Sequence, residues 1–167
     1  MYYCGDAERF RHSLKRLHVR IFMSNTKSIG DIAEINITAK FLEQGIPVSI
    51  PYGDNCPYDL IIDVDGLLLK VQIKHGKYKN GCVIADVRQR HGSNRLAYST
   101  YAGKADYIAI WCSELHRAYL VPLNICEEKT CIYLRVDQHK VRSASSPTMW
   151  AEDFLLEEHF SSDEVTL

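Results

Sequence analysis

The sequence contains no uninterrupted apolar run approaching the roughly 18 residues that suggest a membrane span. Its balance of 46% hydrophobic and 25% charged residues excludes a disordered chain as well as a membrane one. The opening stretch, MYYCGDAERFRHSLKRLHVR, carries charges throughout and lacks the apolar block of a secretory signal. The cytoplasm is therefore the expected compartment. None of the six cysteines, Cys4, Cys56, Cys82, Cys112, Cys126 and Cys131, forms a CxxC pair. In a cytosolic setting they read as thiols in the core or on the surface. Cys112, His116, Cys126 and Cys131 lack the tight paired spacing of a structural zinc site. There is no internal repeat and no low-complexity tract. At 167 residues the chain can bury one real core and is too short for two ordinary domains.

Acid is nearly missing from the middle of the chain. Lys70, Lys74, Lys77, Lys79, Arg88, Arg90, Arg95 and Lys104 face only Asp86 in that stretch, although the formal net charge is -1. The end inverts the bias: Glu152, Asp153, Glu157, Glu158, Asp163 and Glu164 follow one another with no lysine or arginine among them. Such asymmetry suggests either a polyanion-binding surface in the middle of the chain or a merely solvated face.

Residues 23–44 read as a helix. Ser28 is the expected N-cap, Asp31 the first-turn acid and Gly45 the terminator. Ile29, Ile32, Ala33, Ile35, Ile37, Ala39, Phe41 and Leu42 cover most of its surface, so it is expected to pack on more than one side. Residues 1–22 form a weakly patterned basic stretch, either an extra helix or the product of a start placed ahead of Met23. After Gly45 the texture changes to short β-type runs: Val48 to Ile50, Tyr58 to Val64, Leu67 to Lys74, Cys82 to Arg88, Tyr107 to Cys112, Ala118 to Pro122 and Cys131 to Val136. The Asp65-Gly66 turn makes Tyr58 to Val64 and Leu67 to Lys74 a hairpin. A short helix over Asn124 to Lys129 and a final helix over Trp150 to His159 complete the pattern. Gln89 to Lys104 is a polar loop long enough to be functional. The order implies an α/β domain, a mixed central β-sheet flanked by helices.

In LLLKVQIK, Leu67, Leu69, Val71 and Ile73 face one way and Leu68, Lys70, Gln72 and Lys74 the other. Asp59 begins the partner strand, so it can approach Gln72 and Lys74 across the ladder. An acid, a second oxygen ligand and a lysine at one end of a sheet suit phosphodiester hydrolysis. Hard oxygen ligands suit Mg²⁺, and the lysine can orient water or stabilise charge on the phosphate. Glu34, on the preceding helix, offers a further carboxylate. By pattern alone, a solvated Lys74 beside a hydrogen-bonded Gln72 accounts equally for the motif.

The succession SIGDIAE, SIPYGDNCPYDLIID and LLLKVQIK resembles the PD-(D/E)XK nuclease superfamily. It is most similar to the branch containing a group I intron-encoded homing endonuclease, in which glutamine takes the second acidic position. The likeness runs from about Met23 to WAEDF at Trp150 to Phe154, with DYIAIW, AYLVP and IYLRV also fitting. It implies a restriction-endonuclease-like core over residues 23–160, with residues 1–22 an extension and 161–167 a tail. It implies that Glu34, Asp59, Gln72 and Lys74 are catalytic, and that Asp59, Glu34 and the backbone carbonyl of Ile73 hold Mg²⁺, with Mn²⁺ a substitute. Two departures stand out. Tyr58 separates Pro57 from Asp59, which leaves the ligands untouched, and Gln72 is neutral, which weakens the attraction for a cation.

The resemblance implies hydrolysis of double-stranded DNA to a 5′-phosphate and a 3′-hydroxyl. Lys77, Lys79, Arg88, Arg90 and Arg95 are then the candidate DNA-binding residues, with Arg88 or Arg90 in reach of guanine edges. Asn94, Tyr98 and Tyr101 are either contacts to bases and sugars or plain loop residues, and the Ser49 to Asn55 loop, with Tyr52, is a weaker candidate. His75 is expected on the opposite face from Lys74, Trp111 in the core, and Trp150 as the anchor of the last helix, with Glu152 and Asp153 capping or solvating that helix. One active centre cuts one strand, so double-strand cleavage needs at least two copies. The resemblance raises the expected homo-oligomer from a dimer to a tetramer.

Overall fold

The computed structural model describes residues 26–53, 55–90, 98–126, 129–137 and 147–160. The stretches 1–22 and 161–167, together with Asn94 and Arg95, lie outside them. Helix α1, Thr26–Glu43, buries Ala33, Ile37 and Phe41, one residue per turn on a single face. Ile32, Ile35 and Leu42 stay 49%, 68% and 56% exposed. Among the described residues the helix thus buries one side and not several, which corrects the expectation. Nor does Ser28 cap it: nothing in Thr26 and Lys27 interrupts a helical backbone, so the helix runs through Ser28 and its first turn holds no acid. Gly45 ends it as expected, in the left-handed region at φ 74° with its N–H donating to the Leu42 carbonyl at 3.0 Å.

Nine strands follow among the described residues. They are β1 (Val48–Ser49), β2 (Leu60–Val64), β3 (Leu67–Lys79), β4 (Cys82–Asp86), β5 (Gln89–Arg90), β6 (Tyr98–Ser99), β7 (Tyr107–Cys112), β8 (Arg117–Pro122) and β9 (Cys131–Arg135). Seven of them form one sheet in the order β1-β2-β3-β4-β9, with β7 beside β3 and β8 beside β7; β5 and β6 pair separately. Among the described strands β3 and β7 pair parallel and the other pairs are antiparallel. The expected polar loop therefore folds partly into a two-stranded ladder, Gln89 opposite Ser99 and Arg90 opposite Tyr98.

The long β3 organises the molecule. Its first half pairs with β2 and β7, and its last three residues, Lys77 to Lys79, pair with β4. Gly76 sits at the handover, where a Cβ would lie 2.7 Å from both Ile110 Cγ2 and Val83 Cγ1. Strands β7 and β8 are buried on both faces. Ile108, Ile110, Tyr119 and Val121 enter one core, and Ala109, Trp111, Ala118 and Leu120 enter the other. The second core is the one that α1 covers, joined by Leu156 from the short helix α2, Leu156–His159. The first is closed by Val87, Tyr101, Ala105, Leu123 and Ala151.

The end of the chain differs from the expected single helix. Leu155 has an extended ψ of 123° and bridges to Tyr119, which splits the segment into a 3-10 turn, Glu152–Phe154, and α2. Trp150 bridges to Arg135, so it extends the β9 edge rather than anchoring the helix. Where a helix was expected over Asn124 to Lys129, the described residues hold one 3-10 turn, Leu123–Ile125, closed by the Cys126 N–H on the Leu123 carbonyl; residues 127 and 128 lie outside them. No helix among the described residues is long and apolar enough to cross a membrane.

Candidate active site

Asp59 immediately precedes β2, and the register Leu60↔Val71 carries it to the level of Gln72 on β3. The Asp59 N–H extends the ladder by donating to the Val71 carbonyl at 2.9 Å. Its carboxylate turns onto β3, where Oδ2 accepts from the Ile73 N–H at 2.6 Å and from Gln72 Nε2 at 2.5 Å. The same Gln72 amide group donates to the Ile73 carbonyl at 3.2 Å. Gln72 is the buried polar side chain of the core at 8% exposure, and these bonds satisfy its donors, as burial requires. One amide thus ties together two groups expected to bind metal.

Lys74 lies two residues further along the same face. Its Nζ donates to the Tyr101 hydroxyl at 2.7 Å and stands 4.8 Å from the centre of that ring. Tyr101 is 6% exposed, so it belongs to the core and not, as a loop position suggested, to a surface that touches bases. Burial first, then the charge of Asp59, pushes its phenol up to about 12. Sequence patterning had no signal for this contact, because the two residues are 27 positions apart.

Val71 and Ile73 point toward α1, whereas Gln72 and Lys74 point to the opposite core. Glu34 is carried by α1, on the Val71 and Ile73 side of β3. It makes no side-chain hydrogen bond to Asp59, yet the two are coupled electrostatically. Burial first and the charge of Asp59 second raise the Glu34 carboxyl above its ordinary value. Asp59 is raised as well: burial outweighs the opposing help of the Ile73 N–H, Lys74 and Gln72.

Two carboxyl groups whose charge burial disfavours, one of them also raised by the charge of the other, suit a divalent cation. Among the described residues, Asp59 Oδ1 accepts no hydrogen bond, and the donor set of carboxylates and the Ile73 carbonyl is made of hard oxygens. No group of three His, Cys, Asp or Glu side chains converges anywhere among the described residues. At this site the reason is plain, since Gln72 occupies the third corner.

The expected DNA-binding residues scatter more widely. Lys77 and Lys79 are exposed on the far half of β3, and the pleat sets them on the side opposite Gln72 and Lys74. Arg88 is clamped by Asp86, through Nε at 2.9 Å and Nη2 at 2.7 Å. Arg90 lies in β5, its side chain outside the described residues, as is all of Arg95. Tyr52 is fully exposed. His75 faces away from Lys74 as expected, with Nε2 3.5 Å from Ser113 Oγ, and Trp111 is core.

A helix on a largely antiparallel sheet, with an aspartate just ahead of one strand and a lysine within its neighbour, is the architecture of a nuclease core. The sequence model of the PD-(D/E)XK endonuclease family matches residues 24–157, and the chain belongs to that family. It is accordingly an endonuclease fold whose family hydrolyses phosphodiesters, with DNA as its substrate class, and whose members are typically metal-dependent. Among solved structures it is similar to the bacterial homing endonuclease I-Ssp6803I, at 30% identity and a TM-score of 0.65, over 79% of this chain and 89% of that one. The fold is thus restriction-endonuclease-like, as the sequence implied. No curated protein sequence matches the chain.

Proposed function

We propose that the protein is a Mg²⁺-dependent, site-specific endonuclease of double-stranded DNA, of the homing type, with its catalytic domain over residues 23–160. The observation that carries this reading is the array in which the Asp59 carboxylate is held by Gln72 and the Ile73 N–H, with Lys74 on the same strand face. Asp59, Glu34 and the Ile73 carbonyl would hold Mg²⁺, or Mn²⁺ in its place. When bound, such a cation activates water and neutralises charge on the phosphate.

The residues themselves have distinct tasks. The Ile73 N–H and Gln72 fix Asp59 so that one oxygen stays turned outward. Lys74 sets a positive charge against the scissile phosphate and orients the attacking water, which displaces the 3′-oxygen in line and leaves a 5′-phosphate and a 3′-hydroxyl. Gln72, being neutral, can present its amide oxygen to a cation only after its amide turns over. Of the basic residues expected at DNA, Arg90 and Arg95 would neutralise backbone phosphates, Arg88 would do so with its charge shared with Asp86, and Lys77 and Lys79, on the other side of β3, would meet the duplex away from the centre. Because each chain carries one such centre, cutting both strands calls for a dimer or tetramer.

Supercoiled plasmid incubated with Mg²⁺ tests this directly. Linear product that disappears with chelator and in Asp59→Ala supports the proposal; nicking that is indifferent to both contradicts it. The neutral Gln72 favours one second reading, a DNA-binding module without catalysis, for which DNA retention and no cleavage with any metal is the expected result. A restriction or repair role for the same nuclease differs only in its target sites.

A further inference from the structure

We propose that Tyr101 is a positioning residue that holds the Lys74 ammonium in its working place; this rests on the nuclease reading of the site. A lysine head on four rotatable bonds does not aim itself, and in β3 only the Cα of Lys74 is fixed by the ladder. Tyr101 supplies a second fixed point. Tyr101 is 6% exposed and belongs to the core that also holds Val83 and Ile110, which limits how far its hydroxyl can move. Its backbone is held at the start of a turn, where the N–H groups of Lys104 and Ala105 both donate to the Tyr101 carbonyl, at 2.8 and 3.3 Å.

That turn is referenced to β3 itself. The Asp106 N–H donates to the Lys70 carbonyl at 2.8 Å, and the Lys70 N–H donates to Asp106 Oδ2 at 2.7 Å. Asp106 thus fastens the turn carrying Tyr101 to the strand carrying Lys74, four residues before it. The phenol oxygen then accepts from Nζ at 2.7 Å while the ring lies close to the cation. The arrangement sets where the charge stands and leaves its sign and size unchanged.

A hydroxyl that aims the lysine should alter the rate and spare the affinity. Tyr101→Phe keeps the ring and the core and removes only the acceptor. Its single-turnover cleavage with Mg²⁺ is expected to fall about 10- to 100-fold, with duplex affinity in chelator within about twofold of wild type. In a Lys74→Ala background the same substitution is expected to change nothing further. An independent readout needs no cleavage: mass-spectrometric reductive methylation of the folded protein should label Lys74 several-fold faster in Tyr101→Phe. Wild-type cleavage in Tyr101→Phe, or an equal loss in the Lys74→Ala background, overturns the proposal. If wild type cuts no DNA, the nuclease reading fails by itself, and an unchanged labelling rate overturns the Tyr101 contact separately.

Discussion

Asp59 and Gln72 face each other across the β2–β3 ladder, and the glutamine donates its amide to the carboxylate at 2.5 Å. A neutral donor there stabilises a charge that burial opposes. Gln72→Glu exchanges the donor for a second carboxylate at contact distance. The expected result is a loss of about 1–3 kcal/mol of stability in chelator at neutral pH, recovered when Mg²⁺ is added. Thermal melts with and without Mg²⁺ check it; equal melting of variant and wild type in chelator contradicts it.

The pH dependence follows from the same burial. Asp59 and Glu34 are both raised in the folded state. A raised carboxyl favours the fold below its unfolded value, near 4, and that contribution is lost as pH rises through the folded value. Without metal, Asp59→Asn should therefore melt higher than wild type at neutral pH, with the gap closing toward pH ~4. Circular dichroism melts in chelator across that range measure it, and a lower melting temperature for Asp59→Asn at neutral pH would show that its hydrogen bonds outweigh burial.

Gly76 has no room for a side chain where β3 passes from β7 to β4. Gly76→Ala presses a methyl group against Ile110 and Val83, both fully buried. The expected cost is about 1–3 kcal/mol, read as a shifted urea midpoint. An unshifted midpoint would mean that those two side chains give way freely.

The Tyr119 hydroxyl is buried with no hydrogen-bond partner among the described residues. Removing it in Tyr119→Phe relieves a desolvated group, so stability should hold or rise by about 1 kcal/mol. A clear fall in melting temperature would reveal a partner such as an ordered water.

Much of this was legible in the sequence because it depends on local periodicity. The alternation in LLLKVQIK and the Asp65-Gly66 turn suffice to bring Asp59 opposite Gln72, and the apolar run Tyr107 to Cys112 forms β7 with the expected bounds. What the sequence hid depends on distant partners. Leu155 is drawn to Tyr119 and Trp150 to Arg135, so the last helix breaks up despite its helical pattern. The outer residues Ile32, Ile35 and Leu42 read as core by composition but stay about half or more exposed. Tyr101 looked like a loop aromatic among basic residues; its burial in the core and the Asp106 link to Lys70 bring it to Lys74.

The most direct measurement is cleavage of a random-sequence duplex pool with Mg²⁺ by wild type and Lys74→Ala, with the ends of all products sequenced and duplex affinity measured in parallel. Discrete ends bearing 5′-phosphates are expected for wild type, and their loss in Lys74→Ala with DNA binding largely retained. Undiminished cutting by Lys74→Ala, or intact DNA from wild type under every divalent metal, would contradict it.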